Sequence, residues 1–428
     1  MYIAIIVVFI LGYILIATEH IVHIDKAASA LFTGVACWAL IALGHLSVEG
    51  GLSIEGEVMH HLGEIGGILF FLMGAMTIVE LIDTYHGFTL ITDKINSRNK
   101  IVLLWVLGVI TFFMSAALDN LTTSIVMASL LRKIIKEKED LWIFAGVIII
   151  AANAGGAWTP IGDVTTIMLW IGGHLTTANV MMKLIVPSLV CLIIPLIYFS
   201  IKAKGNLGDK PVADNKDKKY HVSEFEKKTV FIIGVGALLF VPIFKTITHL
   251  PPFLGILFGL SVLWIVTELF HFKLQDHLKK EGRSVASVLK KVDTSSILFF
   301  LGILLAVSAL QTAGHLGDMS TILNESFKGN IFMMNGVIGV LSAIVDNVPL
   351  VAGAMGMYSG VYPVDHSFWE LLAFCAGTGG SILIIGSAAG VAIMGILKID
   401  FIWYAKKISL PALLGYLGGM LAFWLMFN

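Results

Sequence analysis

Long apolar runs recur from one end of the chain to the other, and polar residues interrupt them at a few regular places. Runs of this length, about 17 residues or more, cross a hydrocarbon core of roughly 30 Å as helices. They do not alternate apolar and polar residues, as barrel strands would. The pattern predicts an all-α polytopic membrane protein. Spans are expected near 2–18, 27–44, 64–84, 141–173 and 180–201, then near 229–247, 252–271, 294–313, 367–397 and 404–427. The first apolar run has no basic n-region and reads as a first transmembrane helix, not a cleaved leader.

The interruptions repeat. Ser115-Ala-Ala-Leu-Asp119-Asn120 recurs 227 residues later as Ser342-Ala-Ile-Val-Asp346-Asn347. Ile68-Leu-Phe-Phe-Leu72 matches Ile297-Leu-Phe-Phe-Leu301, and Ala152-Asn-Ala-Gly-Gly156 matches Ala376-Gly-Thr-Gly-Gly380. Several matches in order, at nearly constant offset, point to an internal duplication. An Asp at membrane depth is expensive, so two at equivalent places point to one central site.

Charge then sets a topology. The chain is 57% hydrophobic and 13% charged, against about 25% charged in soluble domains. Twenty-five of the 28 Lys and Arg fall in a few clusters: Lys26, 94–100, 132–138, 202–228, 273–291 and 398–407. By the positive-inside rule these clusters mark the cytoplasmic side, placing both termini outside. The segment 101–132 then enters and leaves on one side as an inner re-entrant hairpin, and 330–362 does so from the other side. The expected organisation is a first repeat at 1–201, a cytoplasmic linker at 202–228 and a second, inverted repeat at 229–428. The group Glu49, Glu55, Glu57, His60 and His61 reads as a solvated outer loop. The basic stretch 271–292 reads as lying on the inner membrane surface.

The chemistry is expected where four irregular features meet. Asn153-Ala-Gly-Gly-Ala-Trp-Thr-Pro-Ile-Gly-Asp163 and Gly377-Thr-Gly-Gly-Ser-Ile-Leu-Ile-Ile-Gly-Ser387 should each break a span, because Gly and Pro disfavour continuous helix. Unwound backbone is tolerated at this depth where it lines a cavity. The hairpin tips offer Asp119, Asn120, Thr122, Thr123, Asp346 and Asn347, and the breaks offer Asn153, Thr159, Asp163, Thr378, Ser381 and Ser387. These are hard oxygen ligands, suited to Na⁺ or Li⁺. No cofactor is expected. Cys37, Cys191 and Cys375 form no CxxC pair, and a net charge of −1 gives no basic surface for nucleic acid. His-Glu-x-x-His and Gly-x-Ser-x-Gly, which would mark a metalloprotease or a serine hydrolase, are absent from the sequence.

The segments 115–124, 342–349 and 153–163, with Glu19-His20 and Ile24-Asp25-Lys26-Ala-Ala28, resemble the NhaD-type sodium/proton antiporters of bacteria. The resemblance covers nearly the whole chain. It implies Na⁺(Li⁺)/H⁺ exchange, an inner-membrane location and a homodimer. By the same resemblance Asp119, Thr123, Asp163 and Asp346 are the strongest ion-site residues. The expected mechanism is alternating access, with cation and proton competing for buried carboxylates. The other reading is an arsenite or organic-anion carrier; Asp at both tips would repel a carboxylate.

Overall fold

The computed structural model describes residues 2–44, 53–92, 97–203, 205–208, 222–272, 284–344 and 346–427. It is built from helices. Among the described residues, nine are long and apolar enough to cross a membrane, or ten if one bent pair counts as a span.

The first half runs α1 (Tyr2–Ala17), α2 (Glu19–Val22), α3 (Lys26–Leu43), α4 (Ile54–Thr84), α5 (Thr89–Thr92), α6 (Lys100–Leu118), α7 (Asn120–Ile134), α8 (Lys138–Gly156), α9 (Val164–Ile171) and α10 (Thr177–Lys202). The second runs α11 (Glu224–Thr248), α12 (Pro252–Phe272), α13 (Val285–Leu289), α14 (Thr294–Thr312), α15 (His315–Phe327), α16 (Ile331–Leu341), α17 (Asn347–Tyr358), α18 (Ser367–Gly379), α19 (Ala388–Leu397), α20 (Phe401–Lys407) and α21 (Ser409–Phe427). Equivalent partners pack in the two halves. α1 lies on α3 as α11 lies on α12, and α6 lies on α8 as α16 lies on α18. The halves also exchange partners: α3 packs on α14 and α12 on α4, while α7 packs on α19 and α9 on α17.

Three differences from the sequence reading have local causes. The stretch read as an outer loop is the start of α4, which begins ten residues earlier than expected. Ser53 accepts a hydrogen bond from Gly56 N, and Glu55 and Glu57 occupy the first turn, where carboxylates favour a helix N-terminus. His61 is buried within hydrogen-bonding distance of Thr312. Glu49 of that group lies outside the described residues. The linker also ends sooner, because a capping box between Ser223 and Glu226 starts α11 at Glu224. Finally, α15 is an additional amphipathic helix ahead of the second tip, packed against both α16 and α17. Residues 273–283 of the basic stretch 271–292 lie outside the described residues; its later part forms α13, with Val285 and Val288 buried.

Candidate functional site

The two tips and two breaks converge. Arg98 Nη1 donates to the Ile134 carbonyl at 2.9 Å, so the far ends of α6 and α7 meet and the pair is a hairpin. Its turn is a single residue, Asp119, with φ of 105° and ψ of 160°. That backbone region is almost reserved for glycine and costs about 1–3 kcal/mol. Asp119 is held in it by its own side chain, which accepts from Thr122 N and Thr122 Oγ1, both at 2.8 Å. At the second tip Asp346 has ordinary extended backbone and caps α17 by accepting from Val348 N at 3.2 Å.

Each tip is fastened to the neighbouring broken helix in the same way. Ser115 Oγ donates to the Ala152 carbonyl at 2.6 Å, and Ser342 Oγ to the Ala376 carbonyl at 2.8 Å. The helices touch through glycine. A Cβ on Gly155 would lie 2.1 Å from the Phe112 carbonyl oxygen, and one on Gly379 1.9 Å from that of Gly339. The repeated Ser and Gly letters are therefore the two joints that seat a tip against a break.

Asp163 is the hub. It is almost fully buried and caps α9. Its Oδ1 accepts from Thr165 N and Thr165 Oγ1, both at 2.9 Å, and from Asn347 Nδ2 at 3.4 Å. Its Oδ2 accepts from Asn120 Nδ2 at 2.6 Å. A carboxylate has about four acceptor positions, and four donors reach this one. Asn120 and Asn347 come from the two tips, so one carboxylate in the first break ties both tips together. Asn120 Nδ2 also donates to Asn153 Oδ1, and Asn153 Nδ2 donates to Ser381 Oγ at 2.8 Å and Ser387 Oγ at 2.9 Å. The network thus runs tip to break to break.

A cavity of about 50 Å³ opens on this hub. It is lined by Asp119, Asn120, Thr122, Asp163, Asp346 and Asn347 from the predicted set. Asn153, Ser381 and Ser387 lie behind these residues, in the network just described. Thr159 donates to the Ala116 carbonyl and ties the first break to its tip, whereas Thr378 bonds the Phe374 carbonyl within α18. Thr123 is fully buried off the cavity, and its hydroxyl has no partner among the described residues. Sequence reasoning missed three polar neighbours, one of them Ser296 of α14, which lines the cavity. Thr165 supplies two of the donors on Asp163; its position two residues past a capping Asp was the available signal. Lys26 lines the cavity with Nζ 3.7 Å from Asp346 Oδ2.

A second cavity, of about 350 Å³, is lined by the same helices α4, α9, α14 and α17 further along their length. His61, Glu64, His174 and Gln311 make it polar. Between the two cavities lie the buried apolar side chains of Ile68, Leu72, Ile167, Phe300 and Val348.

Comparison with known proteins places the chain. Residues 7–372 match the family model CitMHS, described as citrate transporter. The chain is 46% identical to sodium/proton antiporter 1 of Arabidopsis thaliana, over 100% of the chain and 73% of that protein. It is 44% identical to sodium/proton antiporter 2 of the same plant, over 98% of each. It is 31% identical to the Na⁺/H⁺ antiporter NhaD of Alkalimonas amylolytica, over 91% of the chain and 83% of that protein. A match over this span, to a family of multi-pass transporters and not enzymes, agrees with helices long enough to cross a membrane and a polar cavity enclosed among them. This chain belongs to the citrate-transporter family and, within it, to the NhaD-type antiporters.

Proposed function

We propose that this protein exchanges Na⁺ or Li⁺ for H⁺ by alternating access, with the cation and protons competing for the carboxylates of the central cavity. The observation that carries the reading is three Asp residues, 119, 163 and 346, at the starts of three helices around one small cavity. Helix N-termini stabilise ionised carboxylates. Both Asn amides point their NH₂ groups at Asp163. That orientation leaves Asn120 Oδ1 and Asn347 Oδ1 as further hard ligands beside Asp119 and Asp346. The sodium/proton antiporters among the relatives support the same substrates.

Space and charge weigh against citrate. Pockets for organic ligands run to about 300–1,000 Å³, whereas this cavity holds about 50 Å³ and carries carboxylates. It suits a partly hydrated cation.

In this reading the polar cavity at His61 and Glu64 is the outer vestibule, and the apolar layer beneath it is the closed outer gate. The halves are inverted repeats at 1–201 and 229–428, joined by a cytoplasmic linker at 202–228, with re-entrant tips and both termini outside. The protein works as a homodimer in the membrane. The matched packing of equivalent helices and the clustered basic residues support the arrangement.

The test is collapse of a pH gradient in everted vesicles on adding NaCl, LiCl, KCl or choline chloride. We expect collapse with Na⁺ or Li⁺, lost in Asp119→Asn protein that still reaches the membrane. No cation response in vesicles that hold a gradient, or full exchange by the variant, would overturn the reading.

A further inference from the structure

We infer that Lys26 is a tethered cation: its ammonium group occupies Asp346 when the cavity holds no metal cation, and an entering Na⁺ must displace it. The inference rests on the proposed cation exchange and adds a residue that sets its affinity.

The geometry differs from that of a surface ion pair. Lys26 and Asp346 side chains are 24% and 18% exposed and face the same cavity as Asp119 and Asp163. At 3.7 Å the ammonium is near enough to neutralise the carboxylate, yet the contact is looser than a hydrogen-bonded pair such as Lys100–Asp140 at 2.8 Å. It is an attraction that a better cation can replace. The displaced ammonium also has somewhere to rest. Nζ already lies 4.5 Å from the centroid of the Phe299 ring, within cation–π range.

Lys26 is also firmly mounted. It is the first residue of α3, capped by Asp25, whose carboxylate accepts from Ala27 N at 2.7 Å and from Ser295 Oγ at the start of α14. The Lys26 amide donates to Glu19 Oε1. Beyond that clamp α3 and α14 are in backbone contact: a Cβ on Gly302 would lie 2.4 Å from the Ala30 carbonyl carbon. The ammonium therefore projects from a rigid helix pair, while its carboxylate sits on a hairpin tip. The contact joins the start of α3 to the tip of the second hairpin, whose helix α17 also packs on α14. Asp119 has no such partner among the described residues: its side chain bonds Thr122 on its own helix. The two tips therefore divide the work, with the first permanently open to a cation and the second guarded.

The role requires only a fixed positive charge. A competitor that occupies a site lowers the apparent affinity for the ligand by the fraction of time the site is blocked. Removing it in Lys26→Gln or Lys26→Met should lower half-saturating Na⁺ by about five- to tenfold. The effect should appear both in vesicle exchange and in Na⁺-dependent thermal stabilisation of purified protein, which needs no transport. Lys26→Arg should stay near the parent value. Lys26→Cys should behave as Lys26→Gln and return toward the parent when an aminoethyl thiol reagent restores the charge on already folded protein. Cys37, Cys191 and Cys375 are buried. Unchanged or raised half-saturating Na⁺ in folded Lys26→Gln and Lys26→Met, with parent protein exchanging normally, would overturn the inference. So would a failure of charge restoration to shift the Cys variant. Absence of Na⁺ response in the parent would instead defeat the underlying exchange reading.

Discussion

The two tips share their letters but not their surroundings. Both carry Ser-Ala-x-x-Asp-Asn, both use the Ser to grip a broken helix, and both send the Asn amide to the same carboxylate. There the likeness stops. The first Asp sits on strained backbone and, among the described residues, bonds its own helix, while the second sits on relaxed backbone and meets Lys26. The breaks differ in the same manner. Asp163 stands 224 residues before Ser387, so the first break supplies a charge where the second supplies a hydroxyl. The joints that seat the parts are alike in the two halves, and the charges are not. A cavity with a strict two-fold arrangement of carboxylates would hold an even number of them. Among the described residues this one holds three, with one lysine beside Asp346.

The most damaging way to test that asymmetry is to remove it. In Asp163→Ser the first break acquires the chemistry of the second, and four donors lose their acceptor. Each charge-assisted bond is worth about 1.5–3 kcal/mol, so the tips should lose their common anchor. We expect cation-driven proton flux to fall to background in vesicles, with protein still inserted. Ser387→Ala removes one of two bonds from Asn153 and the cap on Gly390 N, but no charge, and should leave measurable exchange. Equal loss in the two variants would show that the breaks are functionally alike.

The glycine joints test the opposite claim, that the halves agree. Gly155→Ala and Gly379→Ala each push a methyl into a carbonyl oxygen at about the same distance. Overpacking of this kind costs about 1–3 kcal/mol, and here backbone has to move. Both should lower the thermal midpoint in detergent by similar amounts. Gly353→Ala, with no atom within 4 Å of the new Cβ, should hold or raise it, since Ala is the better helix former by about 1 kcal/mol. Strongly unequal losses at 155 and 379 would break the equivalence of the joints.

The sequence made this site legible where burial is expensive. A charge, an amide or a Gly-Pro break inside an apolar run stands out because the membrane tolerates it only for a reason, and six of the twelve residues so chosen line the cavity. Thr123 and Thr378 show the limit of that logic. A hydroxyl satisfies itself on a carbonyl one turn back, as Thr378 does, so its presence in a helix carries little information. Lys26 was illegible for a different reason. A basic residue at the end of an apolar run is the normal signal of a cytoplasmic boundary, and only the approach of a hairpin 320 residues later reveals its partner. The start of α4 was misread because its acidic first turn is also what a solvated loop contains. The boundary lay in the capping geometry of Ser53, not in the polarity.

The finest distinction between the halves lies at the ends of the broken helices away from their breaks. Trp142, early in α8, donates Nε1–H to the Leu397 carbonyl at the end of α19. Trp369, early in α18, meets the first half beyond α9 through the ring of His174, with centroids 4.1 Å apart. One joint is a hydrogen bond without a titrating group; the other contains an imidazole. Burial pushes the His174 pKa below its usual value, because the charged ring loses water. The folded state therefore binds a proton less readily than the unfolded chain. Stability from this contact is fully present above the ordinary imidazole range and is lost as pH falls through the unfolded pKa, levelling off below the depressed folded one. We expect the thermal midpoint of parent protein to drop on acidification through that range by less than the glycine variants change it, and His174→Phe to flatten the drop. Trp142→Phe should lower the midpoint by an amount that does not change with pH. A pH response that survives His174→Phe unaltered would place the titrating group elsewhere and leave the two joints equivalent.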